Sequence, residues 1–327
     1  MSYRVFAPVF TMVAVVLLTP LPSLAQSADS AAAPRTAFGK PDLQGVWSFA
    51  TLTPMERPAA FEGKERLTDE DVAQLVAQNE GLKKFLSEQG PRGGTGTYDE
   101  FWLDFETDAP GRRTSLVIDP PTGKMPPTTA EAQARMRARR EYLAEHGADS
   151  WEDRHTAARC LVGFNTGPPM VPSAYNNTVQ LFQTPDHVVI FNEMVHDARI
   201  VPLDGSAHLP PDVRQWHGNS RGHWEGDTLV VETVNFTDAT NYTFGALTRE
   251  LHLVERFTRA DAGMLLYRYT VNDPQAYTEP WTAEVPMTLL SDGGMYEYAC
   301  HEGNYALGGI LAGARAEERE AAEGISR

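Results

Sequence analysis

LHLVERFTRADAGMLLYRYTV, residues 251–271, decides how the chain folds. Leu251, Leu253 and Phe257 alternate with polar residues before Asp261-Ala262-Gly263, and Met264 and Leu266 resume the alternation after it. Side chains on a strand point to opposite faces in turn, and Asp and Gly favour turns. The stretch therefore predicts two strands joined by a short turn. It also raises a problem of charge. Glu255 shares a face with Leu251, Leu253 and Phe257, and Arg268 shares one with Met264 and Leu266.

Outward from this stretch the same grammar recurs. TVQLF (178–182), HVVIFNEMV (187–195), ARIVPL (198–203), TLVVETVNF (228–236), AEVPMTLL (283–290) and MYEYAC (295–300) are further strand candidates. Pro185-Asp186, Asp204-Gly205, Glu225-Gly226-Asp227 and Asp292-Gly293-Gly294 supply turns between several of them. Short strands at this spacing predict a mainly β chain, folded as an antiparallel barrel or sandwich.

The last residues, ARAEEREAAEGISR (314–327), read as a short exposed helix or tail, and two accessory helices are expected in the N-terminal half. One should span Asp69 to Gln89, capped by Thr68, with Asp69, Glu70 and Asp71 in its first turn, where free N–H groups favour negative charge. The other should run from about Ala130 to Glu145, with Thr128 and Glu131 at capping-box spacing and Gly147 beyond its end. Its basic run RMRARRE reads as a solvated or docking face. GPRGGTG (90–96) breaks the chain, FWLDFE (101–106) reads as aromatic packing and TSLVID (114–119) as a short strand.

The first residues have the form of an export signal: Arg4, the apolar FAPVFTMVAVVLL, and small residues up to Ala25. The apolar run is short for a spanning helix, so no membrane insertion is expected after cleavage. The expected organisation is a signal over 1–25, a flexible lead over 26–40, a mixed helix and loop subdomain over 41–159, the β core over 160–314 and an exposed tail over 315–327. Of 327 residues, 44 are acidic and 28 basic, giving a formal net charge of −16, which disfavours nucleic acid and anionic lipid as partners. Cys160 and Cys300 are the only cysteines. In an oxidising compartment they predict a disulfide. On a strand, Cys300 and His301 would point apart, which argues against a Cys–His nucleophile.

Glu232 alternates in phase with Val230 and Val234, and Glu297 with Met295, Ala299 and His301. If these faces point inward, Glu232, Glu255, Arg268 and Glu297 are charges in an interior, and buried charges need partners. Two solutions are open. One is a structural Glu255–Arg268 cross-strand pair, and the other a polar cavity that opens to substrate.

The densest polar stretch is EMVHDARIVPLDGSAHLPPDVRQWHGNSRGHWEGD, residues 193–227, read as a loop system between strands. Binding groups commonly sit on loops of a rigid scaffold. Here His196 and His217 are candidates for proton transfer, and Asp197 or Glu225 for the carboxylate that pairs across space with His217 or His301. Arg199 or Arg214 would hold an anion, and His301 would stand at the rim. Trp216, Trp224 and Tyr175 would form an apolar or sugar-stacking wall. His217 and His223, with His196 or Glu225, could supply metal ligands, but no HExxH, HxH or calcium-loop pattern is present. No metal or other cofactor is therefore predicted. GxSxG, Walker and GxGxxG patterns are absent too.

PDLQGVW (41–47), HDARIVPLDG (196–205), WEGDTLVVETVNF (224–236), TAEVPMT (282–288) and YEYACHEGNY (296–305) together resemble an uncharacterised family of exported bacterial proteins. The resemblance spans most of the chain after residue 25. It implies a periplasmic or extracellular product and brings no catalytic assignment. The functional expectation is therefore a secreted lyase, isomerase or hydrolase using His and carboxylate chemistry on a small polar or glycan-like molecule. A noncatalytic ligand- or carbohydrate-binding protein is the first alternative, and a metal-dependent enzyme with His and Glu ligands the second.

Overall fold

The computed structural model describes residues 33–88, 108–239, 244–291 and 294–324. The expected signal, most of the lead, GPRGGTG and all of FWLDFE lie outside them. Ten strands occur among the described residues: β1 Gly45–Ser48, β2 Val117–Asp119, β3 Thr178–Gln183, β4 His187–Asn192, β5 Ala198–Pro202, β6 Asn219–Glu225, β7 Thr228–Val234, β8 His252–Arg259, β9 Met264–Asn272 and β10 Trp281–Leu289. Helices α1 Asp69–Glu88 and α2 Ala130–His146 precede most of the sheet, and α3 Tyr305–Ala322 follows it.

The ladder runs β5-β4-β3-β1-β10-β9-β8-β7-β6, with β2 pairing to β10 beside that path. Its pairings are all antiparallel. β5 and β6, the two ends, come back alongside each other. Nine strands thus form a nearly closed barrel, which settles barrel over sandwich.

Alternation built this shape. On β8, Leu253, Glu255 and Phe257 are buried, while His252, Val254 and Arg256 reach toward solvent. β9 turns Leu265, Tyr267, Tyr269 and Val271 inward, and β10 adds Trp281, Ala283, Val285 and Met287. These meet Trp47, Val179, Leu181, Val188 and Ile190 from the opposite wall in one core. At about 25 cal/mol per Å² of apolar surface, burial on this scale is the main stabilising term.

The same parity corrects two expectations. Arg268 lies on the outer face of β9, opposite Arg256, while Glu255 faces Tyr269 across the ladder. A Glu255–Arg268 pair is therefore not formed, and Arg268 instead meets Glu284 at 2.6 Å. Glu232 is also on the outside, 3.9 Å from His252. MYEYAC is not a strand: residues 294–299 have no regular structure and Glu297 is exposed. β10 already has β9 on one edge and β1 and β2 on the other, so no ladder position remains beside it.

The expected strand 187–195 ends at Asn192, because Val195 and His196 take φ of +60° and +46° in a short 3-10 turn. β6, placed in the sequence among loops, is a strand. α1 is capped by Thr68, whose hydroxyl accepts from the Asp71 amide at 3.3 Å while Asp71 Oδ2 accepts from the Thr68 amide at 2.6 Å. α2 is capped by Thr129, not Thr128, since Thr128 is held in a bridge with Tyr277. α3 extends well into what was expected to be core, because Asn304 caps it through the Leu307 amide. Cys160 and Cys300 form a disulfide, with Cα atoms 5.8 Å apart. Among the described residues, no helix is long and apolar enough to cross a membrane.

Candidate functional site

The barrel's one unladdered seam, between β5 and β6, makes the site. A Cβ added at Gly222 of β6 would lie 2.6 Å from Leu203 Cδ2 and 3.0 Å from Val201 Cγ1. Side chains of the β5 side thus occupy the space above Gly222, and the strands meet by packing instead of hydrogen bonds. Elsewhere along the seam a cleft of about 490 Å³ opens between Ala198–Pro202 and residues 214–221. The 214–218 loop is pinned to the end of β7, because the Gln215 amide donates to Asn235 O at 3.0 Å and Gln215 O accepts from the Thr237 amide at 3.2 Å. Gly218 completes this turn at φ +66°, where a Cβ would meet Val234 O at 2.7 Å.

His217 faces the cleft with Asp197 behind it. Its Nε2 lies 3.2 Å from Asp197 Oδ2, off the direction of a good hydrogen bond, so the contact is a close approach of ring and carboxylate. Asp197 is well anchored: Oδ2 accepts from Thr166 Oγ1 at 2.9 Å and from the Gly163 amide at 3.2 Å. Immediately before it, Val195 and His196 hold left-handed backbone conformations, which a β-branched residue adopts at real cost. Such strain persists only where surroundings fix it, and here His196 Nδ1 meets Tyr298 O at 3.1 Å.

Arg199 floors the cleft. Its Nη1 and Nη2 donate to Glu255 at 2.6 and 2.9 Å, a bidentate pair inside the barrel. Tyr267 Oη donates to the same carboxylate at 2.7 Å and accepts from the Met170 amide at 3.0 Å. Arg199 is 6% exposed and Glu255 fully buried. Burial pulls the Arg199 guanidinium down, but the charge and hydrogen bonds of Glu255 outweigh it and hold the group above its ordinary value. Burial, reinforced by Glu255, pushes the Tyr267 hydroxyl well up, so it stays a donor.

Arg214 and Arg221 have a different status. Arg214 Nη1 donates to Phe236 O and Arg249 O at 3.0 and 2.9 Å. Arg221 donates to Ala207 O at 3.1 Å and Ser220 O at 2.8 Å. Both guanidiniums are thus held by backbone carbonyls; the ion pair at this seam is Arg199–Glu255, and His217 stands 3.2 Å from Asp197. Nε of Arg199 and of Arg214 are buried donors with no acceptor among the described residues. Trp216 closes one side, with the Arg159 guanidinium 5.6 Å from its ring centre.

Of the residues singled out by sequence, Asp197, Arg199, Arg214, Trp216 and His217 converge here, with Glu255 beneath them. The rest lie elsewhere. His196 and His301 are exposed neighbours with ring centres 6.3 Å apart, beside the disulfide and outside the cleft lining. Tyr175 packs edge-on against Phe164 in the apolar cluster around that disulfide. Trp224 and Glu225 sit at the far end of β6; Lys40 covers Trp224 at 5.5 Å, and Glu225 engages His223 at 3.2 Å and Arg256 at 2.7 Å. Glu225 therefore does not serve His217. Glu232, Arg268 and Glu297 face outward, away from any interior cavity. Sequence reasoning placed Arg221 in the polar stretch 193–227 without giving it a role, and missed Thr166 and Tyr267. Only Tyr267 had a usable signal, since alternation placed it opposite in phase to Arg268.

Among the described residues, no group of three His, Cys, Asp or Glu is placed to hold a metal ion. No protein-family model, curated protein or solved structure matches the chain.

Proposed function

We propose that this is an exported enzyme performing general acid–base chemistry on a small polar molecule, as a lyase, isomerase or hydrolase, in the cleft between β5 and β6. The observation that carries this reading is the approach of His217 to an anchored Asp197 beside the guanidiniums of Arg199 and Arg214. His217 would move the proton. Asp197 would orient the ring and steady the charge it gains, and Arg214 would face the anionic group of the substrate or of the transition state. Export is supported by the apolar FAPVFTMVAVVLL followed by small residues up to Ala25, and by the disulfide. Sequencing the N-terminus of protein recovered from the periplasm or medium should give Gln26.

The test of catalysis is a substrate screen with His217→Asn beside the parent protein. A positioned acid or base contributes roughly 10²- to 10⁴-fold, so turnover should fall by at least about a hundredfold with thermal unfolding unchanged. Equal turnover by both proteins would remove His217 from the mechanism. A noncatalytic binding protein is the second reading, favoured by the poor alignment of Nε2 with Asp197. It is distinguished by ligand affinity that survives His217→Asn without turnover of any ligand bound.

A further inference from the structure

We infer that the cleft between β5 and β6 selects small amphipathic carboxylates, with Arg214 and Arg221 receiving the carboxylate and Ile200, Pro202 and Trp216 receiving a hydrocarbon body. This deepens the acid–base reading and rests on the same cleft.

Charge comes first. The whole chain carries −16, yet the residues around this cleft include three arginines and a histidine. Glu255 neutralises Arg199 and Asp197 stands against His217. Two guanidiniums remain. Asp204 is near enough to feel the charge of Arg221 but makes no ion pair with it. A guanidinium offers five N–H donors in a fixed fork; the Nη2 groups of Arg214 and Arg221 have no hydrogen-bond acceptor among the described residues. The buried Nε donors of Arg199 and Arg214 also lack acceptors among the described residues. Unmet donors around a cavity favour a ligand that brings acceptors, and two cations favour one that brings negative charge.

Shape and apolar surface complete the specification. Ile200 is 66% exposed on the cleft's lip. Across the ladder it adjoins Val189, which adjoins Phe182, itself 44% exposed, so the apolar strip continues outward from the cleft. Inorganic anions would satisfy the arginines and leave this strip wet. A body of one ring or a short alkyl chain would cover it, and each buried CH₂ is worth about 0.8 kcal/mol.

The experiment is equilibrium binding to the mature protein by calorimetry, with phenylacetate, hexanoate, acetate and the neutral phenylacetamide as probes. Phenylacetate or hexanoate should bind at least roughly tenfold tighter than acetate and than phenylacetamide, a gap of about 1.4 kcal/mol. Arg221→Gln should weaken phenylacetate several-fold and Arg221→Lys much less. Arg214→Gln should weaken it further; each arginine also ties two backbone carbonyls, so both Gln variants are compared at unchanged thermal unfolding, with Arg221→Lys as the conservative control. Raising salt should weaken the carboxylates and leave the amide unchanged. Equal affinity for amide and acid, an unchanged affinity in folded Arg221→Gln, or no carboxylate binding up to about 10 mM would overturn the inference. Carboxylate binding without turnover of any compound would sink the catalytic reading and leave this one standing. His217-dependent turnover of neutral compounds alone would do the reverse.

Discussion

Glu255 has no exposure and Arg199 almost none, so each depends on the other. Removing one partner of such a pair leaves an uncompensated buried charge, at about 3–5 kcal/mol. Glu255→Gln should therefore lower unfolding free energy by an amount in that range, read by urea denaturation. Replacing Arg199, Glu255 and Tyr267 together by Met, Leu and Phe should recover much of the loss, because both buried charges go and only the Met170 amide loses an acceptor. A triple variant as unstable as Glu255→Gln would mean that the network is held for reasons other than mutual charge compensation. At the neighbouring pair, Asp197 acts through His217, and the two should behave as one unit. Asp197→Asn and His217→Asn should each lower turnover steeply, and the double variant little further. Additive losses would show that Asp197 contributes independently of the imidazole. Asp197→Asn should also leave phenylacetate affinity closer to the parent value than Arg221→Gln does.

At the scale of the element, two features convert sequence into measurable behaviour. The cap of α1 holds the Asp71 carboxyl down, to about 2, through hydrogen bonds from Lys64 and then from the Thr68 amide and hydroxyl. Its folded value lies below the ordinary carboxylate range, so its contribution is present above about pH 4 and is lost as pH falls toward 2. An NMR titration should place the Asp71 midpoint near 2, and Thr68→Val should raise it. The second feature is Gly222. Any side chain there must displace Val201 and Leu203, so Gly222→Val should cost about 1–3 kcal/mol by overpacking and spread the seam, weakening phenylacetate binding as well. Much of this architecture was legible. The alternation in LHLVERFT placed Glu255 inside, whereas in MLLYRYTV it put Arg268 with Met264 and Leu266 on the face that turned out to be the outer one; the caps announced α1 and α2 to within a few residues. β6 was not legible, because Asn219-Ser220-Arg221-Gly222-His223-Trp224-Glu225 has polar residues where a core strand has Val or Ile; it sits at the seam, where one edge makes no ladder and Gly222 replaces a core side chain. MYEYAC misled for the opposite reason, since it has strand composition but no free sheet edge at β10. The partner of Glu255 was unreadable because Arg199 stands on a strand across the barrel, 56 positions away.

Across the whole molecule, one covalent link joins the supports of the site. Cys160 is followed by Gly163 and Thr166, which hold Asp197, and Cys300 is preceded by Tyr298, whose carbonyl meets His196. The bond therefore ties both flanks of the strained Val195–Asp197 turn to each other, while the barrel wall that carries Arg199 and Glu255 is held by its own ladders. This separation predicts a local effect beyond a global one. Closing a loop of 140 positions restricts the unfolded chain, and losing such a native disulfide typically costs about 2–5 kcal/mol. A Cys160→Ser, Cys300→Ser protein should show that loss in urea. Hydrogen exchange under native conditions should then accelerate at the Gly163 amide by more than global destabilisation accounts for, whereas the Tyr269 amide in β9 should track the global change. If Gly163 and Tyr269 shift by the same free energy, the disulfide stabilises the chain as a whole and does not specifically brace Asp197. If Gly163 shifts more, His217 should also lose its charge partner first, and turnover should decline at denaturant concentrations where the barrel is still intact.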